Sequence, residues 1–469
     1  MCRHLFRTLS LLAILALLRF AENVAESVEA DRIKSLPGVP TLPDFPMYSG
    51  YLDVNKDKKL HYWLNICESG TCDNLIIWFN GGPGCSSMDG LFAEHGPFKF
   101  DRDSGQLEKN NYSWNKLAHT LYIEAPVGVG FSYGSPNDPI TDDTFAEDVE
   151  KAIMNFFEKF NSLRHCDIYI TGESYAGVYI PTLVATMLNI GSPLIDKIKG
   201  LVIGNGLLNQ RVNDESLVFY AYYHGLFGKS LWDELMENCC DDGRPDRCTF
   251  FRFSEEHCIF EVMKVMQLVT NNGLNVYNLY GDCATPSQMN RMRYFRDYYK
   301  NLFYMKMGLD LDSKRLTLVP PCSNASLITK YLNRNDVQQA IHVKQTTWQI
   351  CSDHVNREYK KIYKDVSPFI KTILEEMDDI RVLLYFGDVD MACNHMGGEK
   401  FVDDLGYKIT MERRTWNLEK SGTEQIGGFV KEFHKLTFLT VKGAGHMVPA
   451  DIPPAAFQVV TKFLDYEPI

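Results

Sequence analysis

Beyond its first twenty residues the chain has no apolar run long enough to cross a bilayer, no internal repeat and no low-complexity tract. Those absences argue against a channel, a solenoid and a disordered linker. Positive charge is also short: 48 Lys and Arg stand against 60 Asp and Glu, a formal net charge of −12. Such a surface repels phosphate backbones and anionic lipid, so nucleic acid and membranes are poor partners. No His lies at zinc-finger spacing from Cys239, Cys240, Cys248 and Cys258, and nothing else suggests a metal or an organic cofactor.

What is present is a chain of 469 residues, 45% hydrophobic and 23% charged, enough for a large core. Arg3, His4 and Arg7 precede an apolar run from Leu9 to Leu18. That is the charged and apolar pattern of a secretory signal, spanning about residues 1–25, with Ala21, Ala25 and Ala30 all ending plausible cleavage sites. Of 13 cysteines Cys2 leaves with the signal, and the remaining twelve read as disulfides in a secreted chain. Cys67 and Cys72, across a short Ser-Gly loop, form a natural local pair. Asn111-Tyr112-Ser113 and Asn324-Ala325-Ser326 are glycosylation sequons that agree with secretory transit. The expected destination is the lysosome or the extracellular space.

Short β-branched and aromatic runs alternate with amphipathic stretches, which predicts an α/β fold with a mostly parallel sheet wrapped by helices. The predicted strands are Leu75–Phe79, Leu121–Glu124, Ile168–Thr171, Leu201–Ile203, Val382–Phe386 and Thr437–Val441. Thr144 and Glu147 read as a capping box for a helix whose Val149, Ile153, Phe156, Phe157 and Phe160 share one face. A final helix is expected over about Pro454–Leu464. Between Gly206 and Leu332 this rhythm breaks: cysteines and helical patterns, clearest over Glu255–Thr270, replace strand signals. Strand signals then resume, so 206–332 reads as a largely helical cap inserted between core segments 26–205 and 333–469. Its basic stretch from Arg291 to Arg315 is a candidate proteolytic maturation site, with a solvated basic helix as the competing reading.

Three loops follow predicted strands. Ser174 sits in Gly172-Glu173-Ser174-Tyr175-Ala176-Gly177, a strand-to-helix turn whose small residues suit a nucleophile elbow. Asp390 follows in Gly387-Asp388-Val389-Asp390, with Asp388 its rival, and His446 in Gly443-Ala444-Gly445-His446. Ser, then Asp, then His is the chain order of the α/β-hydrolase triad. An imidazole is needed to take the serine proton, and a carboxylate to hold the imidazole in the useful tautomer.

With Trp78-Phe79-Asn80-Gly81-Gly82-Pro83-Gly84-Cys85-Ser86-Ser87, Cys393-Asn394 and His446-Met447-Val448-Pro449, these motifs resemble the serine carboxypeptidase family, from about Pro37 to the C-terminus. The resemblance implies an α/β-hydrolase fold and release of C-terminal residues from peptides at acid pH. It implies an oxyanion hole from the N–H groups of Gly82 and Tyr175, where a Cβ at the turn would block substrate. It also implies a site for the substrate carboxylate built from Asn80, the Gly81 N–H, Glu173 and Glu94, the two acids protonated. Judged on residue pattern alone, Glu94 reads as a surface acid. The implied disulfides are Cys85–Cys351, Cys239–Cys258, Cys240–Cys248 and Cys283–Cys322. Cys166 precedes the nucleophile strand and Cys393 follows the acid strand, opposite ends of a parallel sheet, so both are expected free. An acyltransferase or esterase on the same triad is the alternative activity. Likeness to an animal lysosomal member of the family further implies a homo-oligomer, such as a dimer, and protective binding of lysosomal glycosidases.

Overall fold

The computed structural model describes residues 26–101, 104–135, 137–251, 256–271, 274–282, 325–420 and 422–469. The signal segment, Cys283–Cys322, Asn324 and the basic Arg291–Arg315 stretch lie outside these residues. Asn111 stands in an exposed turn.

Among the described residues twelve strands are formed: β1 (Met47–Asp53), β2 (Lys59–Asn65), β3 (Asn74–Phe79), β4 (Phe98–Phe100), β5 (Leu107–Lys109), β6 (His119–Ile123), β7 (Asp167–Glu173), β8 (Ile198–Gly204), β9 (Arg381–Gly387), β10 (Ile409–Lys420), β11 (Thr423–Phe433) and β12 (Leu436–Val441). β4 and β5 pair apart; the other ten make one sheet in the order β1-β2-β6-β3-β7-β8-β9-β12-β11-β10. The strands from β6 to β12 run parallel, and an antiparallel pair flanks each side. The middle strands are buried on both faces, so they read as continuous apolar runs. Their side chains alternate between two cores. Leu75, Ile77 and Phe79 join the core under the Asp142–Lys159 and Ala176–Ile190 helices, while Ile76 and Trp78 join the one beneath Pro453–Leu464.

The Asp142–Lys159 helix corrects one expectation. Its capping box is Thr141 with Thr144, three residues earlier than predicted. Thr141 has the extended backbone an N-cap needs, and Asp142 and Asp143 fill the first turn, where the helix dipole favours acids. Glu147 lies in the second turn, out of reach of the cap. The edge strands β1, β2, β10 and β11 were not anticipated either. β10 (ITMERRTWNLEK) carries too much charge to read as a strand, and pairing with β11 forms it.

β8 and β9 are neighbours, Gly204 opposite Tyr385, yet a largely helical insertion separates them along the chain. Helices Gln210–Tyr223, Lys229–Cys239 and Glu256–Asn271 share their own core, built on Leu217, Trp232, Leu235, Val262 and Val265. Cys239–Cys258 and Cys240–Cys248 cross-link it. That core also takes in Met391, next to Asp390, so the insertion stands over the C-terminal ends of the parallel strands.

Candidate active site

β7 ends at Glu173, and Ser174 turns the chain into the Ala176–Ile190 helix with φ 63°, the left-handed region that costs a non-glycine residue roughly 1–2 kcal/mol. Neighbouring turns hold it there. The Ser174 N–H donates to the Gly204 carbonyl at 3.1 Å, and its own carbonyl accepts from Gly177 and Leu207, both at 2.9 Å. A Cβ on Gly172 would lie 2.3 Å from the Phe79 carbonyl oxygen, and one on Gly177 2.8 Å from Leu207 backbone. Small residues therefore let three turns nest while Ser174 stays partly exposed.

Asp390 and His446 reach the same sheet edge from the ends of β9 and β12, which lie side by side. Asp390 is fully buried, and its Oδ2 contacts Nδ1 of His446 at 2.7 Å. The same oxygen accepts from Asn205 Nδ2 at 2.9 Å and from the Cys393 N–H at 3.1 Å; Oδ1 accepts from the Ala392 N–H at 2.9 Å. With its lone pairs so committed, the carboxylate orients the imidazole and leaves Nε2 for chemistry. Asp388, the rival, instead accepts the Gly443 N–H at 2.7 Å and supports the His446 loop. His446 is itself buried, and its N–H donates to the Tyr277 carbonyl of the insertion at 2.7 Å. A Cβ on Gly445 would come within 2.3 Å of that same oxygen, which explains this glycine.

The Asn80–Gly84 turn packs directly on the elbow. A Cβ on Gly81 would lie 2.4 Å from the Tyr175 nitrogen and 2.8 Å from Ser174 Cβ. Gly82 has φ 114°, and a Cβ there would meet the Gly84 and Cys85 nitrogens below 3 Å. The physical need for these glycines is thus turn-on-turn packing and backbone sign, ahead of the substrate access expected from sequence. Cys85–Cys351 ties the turn to a distant segment, and the Ser86 N–H donates to Ile350 at 2.7 Å. Ser86 Oγ also hydrogen-bonds the fully buried Glu124, which accepts from Trp348 Nε1 at 2.8 Å and the Phe131 N–H at 2.7 Å.

Beside the elbow lies a nest of acids. Asn80 is held by Trp78 Nε1 at 2.7 Å and the Gly90 N–H at 3.1 Å, and its Nδ2 donates to Glu173 Oε1 at 2.9 Å. Glu94 closes the short Gly90–Glu94 helix and is buried, not the surface acid its residue pattern suggested. Both Glu94 oxygens, Glu173 Oε2 and Asp89 Oδ1 are buried without a hydrogen-bond partner of ordinary geometry. Burial raises Glu94 well above the usual carboxylate range, with Asp89 adding repulsion. Burial likewise raises Glu173, with Glu94 and then Asp89 adding to it. Burial pushes Asp89 up to about 7. At acid pH these groups are neutral O–H donors, suited to an incoming anion. Cys393 and Cys166 are buried and form no disulfide, and burial raises the pKa of the Cys393 thiol.

A family model of the serine carboxypeptidases matches residues 37–466. The chain belongs to that family. The mouse (Mus musculus) lysosomal protective protein is 41% identical over 478 residues, covering 98% of this chain and 99% of that protein. The Caenorhabditis elegans serine carboxypeptidase ctsa-4.1 is 36% identical, covering 93% of each chain. Among solved structures, the prohormone-processing carboxypeptidase Kex1(delta)p of Saccharomyces cerevisiae superimposes with a TM-score of 0.72 at 25% identity, over 94% of this chain and 96% of its own. This serine carboxypeptidase accordingly has the α/β-hydrolase fold with a helical insertion. Among the described residues no helix is long and apolar enough to cross a membrane, and no acid, His and Cys cluster suits a metal.

The structure gathers Ser174, Asp390, His446, Asn80, Gly81, Gly82, Glu173 and Glu94 at one end of the sheet, and sets beside them Asn205, Asp89 and Glu124, which the sequence did not single out. Asn205 had a signal, since Gly204-Asn205-Gly206 is a further post-strand glycine loop, and Asn205 adopts φ 40° there. Asp89 and Glu124 look like ordinary acids until their neighbours are known.

Proposed function

We propose that the protein removes C-terminal residues from peptides at acid pH through an acyl-enzyme on Ser174. His446 Nε2 takes the Oγ proton as Oγ bonds to the carbonyl carbon, with Asp390 holding Nδ1–H. The N–H groups of Gly82 and Tyr175 receive the developing oxyanion. Collapse breaks the C–N bond, and His446 returns its proton to the leaving amine. Water then attacks the ester, His446 again taking the proton, and Ser174 is released with its hydrogen restored.

The observation that carries a peptidase reading over an esterase one is the acid nest. Buried carboxyls with unpartnered oxygens and raised pKa, joined to Asn80, are costly unless they meet a ligand. A substrate carboxylate accepting from protonated Glu173 and Glu94, Asn80 and the Gly81 N–H fits them. Affinity for free-acid peptides should then fall from acid to neutral pH as the acids ionise and repel the substrate. The test is kcat/KM against pH for matched free-acid, amide and ester substrates. The free-acid profile should fall at lower pH than the others, and Glu173→Gln or Glu94→Gln should move it upward. Superimposed profiles would sink the carboxyl reading and favour the esterase or acyltransferase alternative.

Likeness to the lysosomal protective protein supports a second, separable role, residence in the lysosome and protection of a partner, for which lysosomal glycosidases as partners and assembly as a dimer are further proposals. Ser174→Ala should abolish peptide cleavage while leaving partner pull-down and size-exclusion behaviour intact. Loss of both together would argue against separable roles.

A further inference from the structure

A buried histidine stands behind the oxyanion turn, and neither the triad nor the acid nest uses it. His61 on β2 is completely enclosed, as are Ser49 on the neighbouring β1 and Glu124 just past β6. Nδ1 of His61 lies 2.9 Å from Glu124 Oε2, and Nε2 lies 2.9 Å from Ser49 Oγ. The protons on these atoms follow from their other partners. Ser49 Oγ gives its one hydrogen to the Ile341 carbonyl at 2.7 Å, so it accepts from Nε2–H. Glu124 already accepts from Trp348 Nε1 at 2.8 Å, from the Phe131 N–H at 2.7 Å and from Ser86 Oγ, which itself accepts the Met88 N–H at 3.0 Å. Three donors favour the ionised carboxylate, and Nδ1–H is the fourth. His61 thus donates from both nitrogens, as an imidazolium paired with a carboxylate. Gly130 makes room for the pair, since a Cβ there would lie 1.8 Å from Glu124 Oε1.

Such a pair is a poor way to fill a core, because desolvating two charges offsets most of their attraction and apolar residues of the same shape stabilise as well. What it provides is a rigid acceptor at a set place, and that acceptor meets the Asn80–Ser86 turn from outside. Ser86 is bound to Glu124 through Oγ and to the Ile350 carbonyl through its N–H at 2.7 Å. The Cys85 N–H closes the turn on the Gly81 carbonyl at 3.0 Å, and Gly81 packs on Tyr175 and Ser174. The turn is therefore held between the elbow and Glu124, with Gly82 in its middle. Asn80, at the acid nest, is held separately by Trp78 and Gly90.

We propose that His61 is a positioning residue for the oxyanion turn: its imidazolium fixes Glu124, and Glu124 fixes Ser86 and with it the Gly82 N–H. This rests on the acyl-enzyme reading above, in which Gly82 receives the oxyanion. The contact belongs to kcat, because the substrate carboxylate is bound through Asn80 and the acids without passing through Ser86.

The test uses the shapes of two amides. The amide nitrogen of Asn can stand where Nδ1 stands, and that of Gln where Nε2 stands. His61→Asn keeps the donor to Glu124, whereas His61→Gln keeps the donor to Ser49. Both are measured on one free-acid peptide, with active enzyme counted by a serine-directed phosphonate and folding followed by thermal melts. His61→Gln should lower kcat about 10–100-fold, as a displaced oxyanion donor would, and leave KM within about twofold. His61→Asn should recover most of that loss, even where the two variants melt at the same temperature. Added to Ser86→Ala, which cuts the link to the turn, His61→Gln should have little further effect on kcat. Glu124→Gln should show the same loss confined to kcat, and it serves where His61→Gln does not fold. Wild-type kcat in His61→Gln or in Glu124→Gln overturns the proposal. Equal losses in His61→Asn and His61→Gln, or a fully additive loss with Ser86→Ala, overturn it too. A wild type that neither cleaves the peptide nor takes the phosphonate on Ser174 overturns the acyl-enzyme reading, and this proposal with it.

Discussion

Asp89 offers a prediction about stability that does not depend on turnover. It is 2% exposed, its Oδ1 has no hydrogen-bond partner, and burial raises its pKa from an ordinary 3.8 to about 7. The folded state therefore binds a proton across a pH range in which the unfolded chain has lost it. Stability falls with pH wherever the native state holds the extra proton, so the loss begins near pH 4 and is complete near pH 7. About three pH units at about 1.4 kcal/mol each give roughly 4 kcal/mol. Full burial means that little of this is screened. Asp89→Asn keeps the shape and removes the titration, and it relieves the repulsion on Glu94 and Glu173. Wild type and variant should melt together at pH 4, and the variant should melt several degrees higher at pH 7. Thermal melts followed by circular dichroism across that range give the difference curve directly. A constant offset, or a gap that widens toward acid, would refute the reasoning, because either means that Asp89 does not hold a native-state proton.

Ser174→Ala, His446→Ala and Asp390→Asn should each lower kcat on the order of 10⁴–10⁶-fold, and pairs should cost little more than singles because the residues act as a unit. Labelling by a serine-directed phosphonate at any serine but Ser174, read by peptide mass, would contradict the assignment. Fully buried Asp142 accepts from Tyr175 Oη, Tyr359 Oη and the Ile362 and Tyr363 N–H groups, so Asp142→Asn, which removes the charge from these bonds, should destabilise by roughly 1–3 kcal/mol. It should also lower kcat more than it raises KM, through the backbone of Tyr175. Denaturant melts and steady-state kinetics check both, and an unchanged kcat would mean that the elbow does not need this anchor.

The catalytic candidates were readable because each is a local backbone event. Gly172 to Gly177, Gly387 to Asp390 and Gly443 to His446 each follow a short apolar run, and a strand that ends in a small-residue loop announces itself within about ten residues. The parallel sheet was readable for the same reason: strands buried on both faces are apolar throughout, as in Leu75–Phe79. Where the signal depended on a neighbour, the sequence was silent or misleading. β10 becomes a strand by pairing with β11, and the helix at Asp142 starts where Thr141 turns extended.

Glu94 marks the boundary most clearly. Its own residues describe an acid on a helix, and nothing within its segment reveals whether water or protein lies against it. The fold buries it beside Asp89, and burial first, then the charge of that acid, raises its pKa. Asp142 is alike in this respect, an ordinary acid in sequence that gains its partners when Tyr175 and Tyr359 are brought to it. The sequence by itself determined the fold class, the order of the triad loops and the turns that carry them, because backbone sterics and apolar periodicity are short-range. Only the tertiary structure decided which charges are desolvated and which face one another, because burial and proximity belong to pairs of segments that the chain keeps far apart.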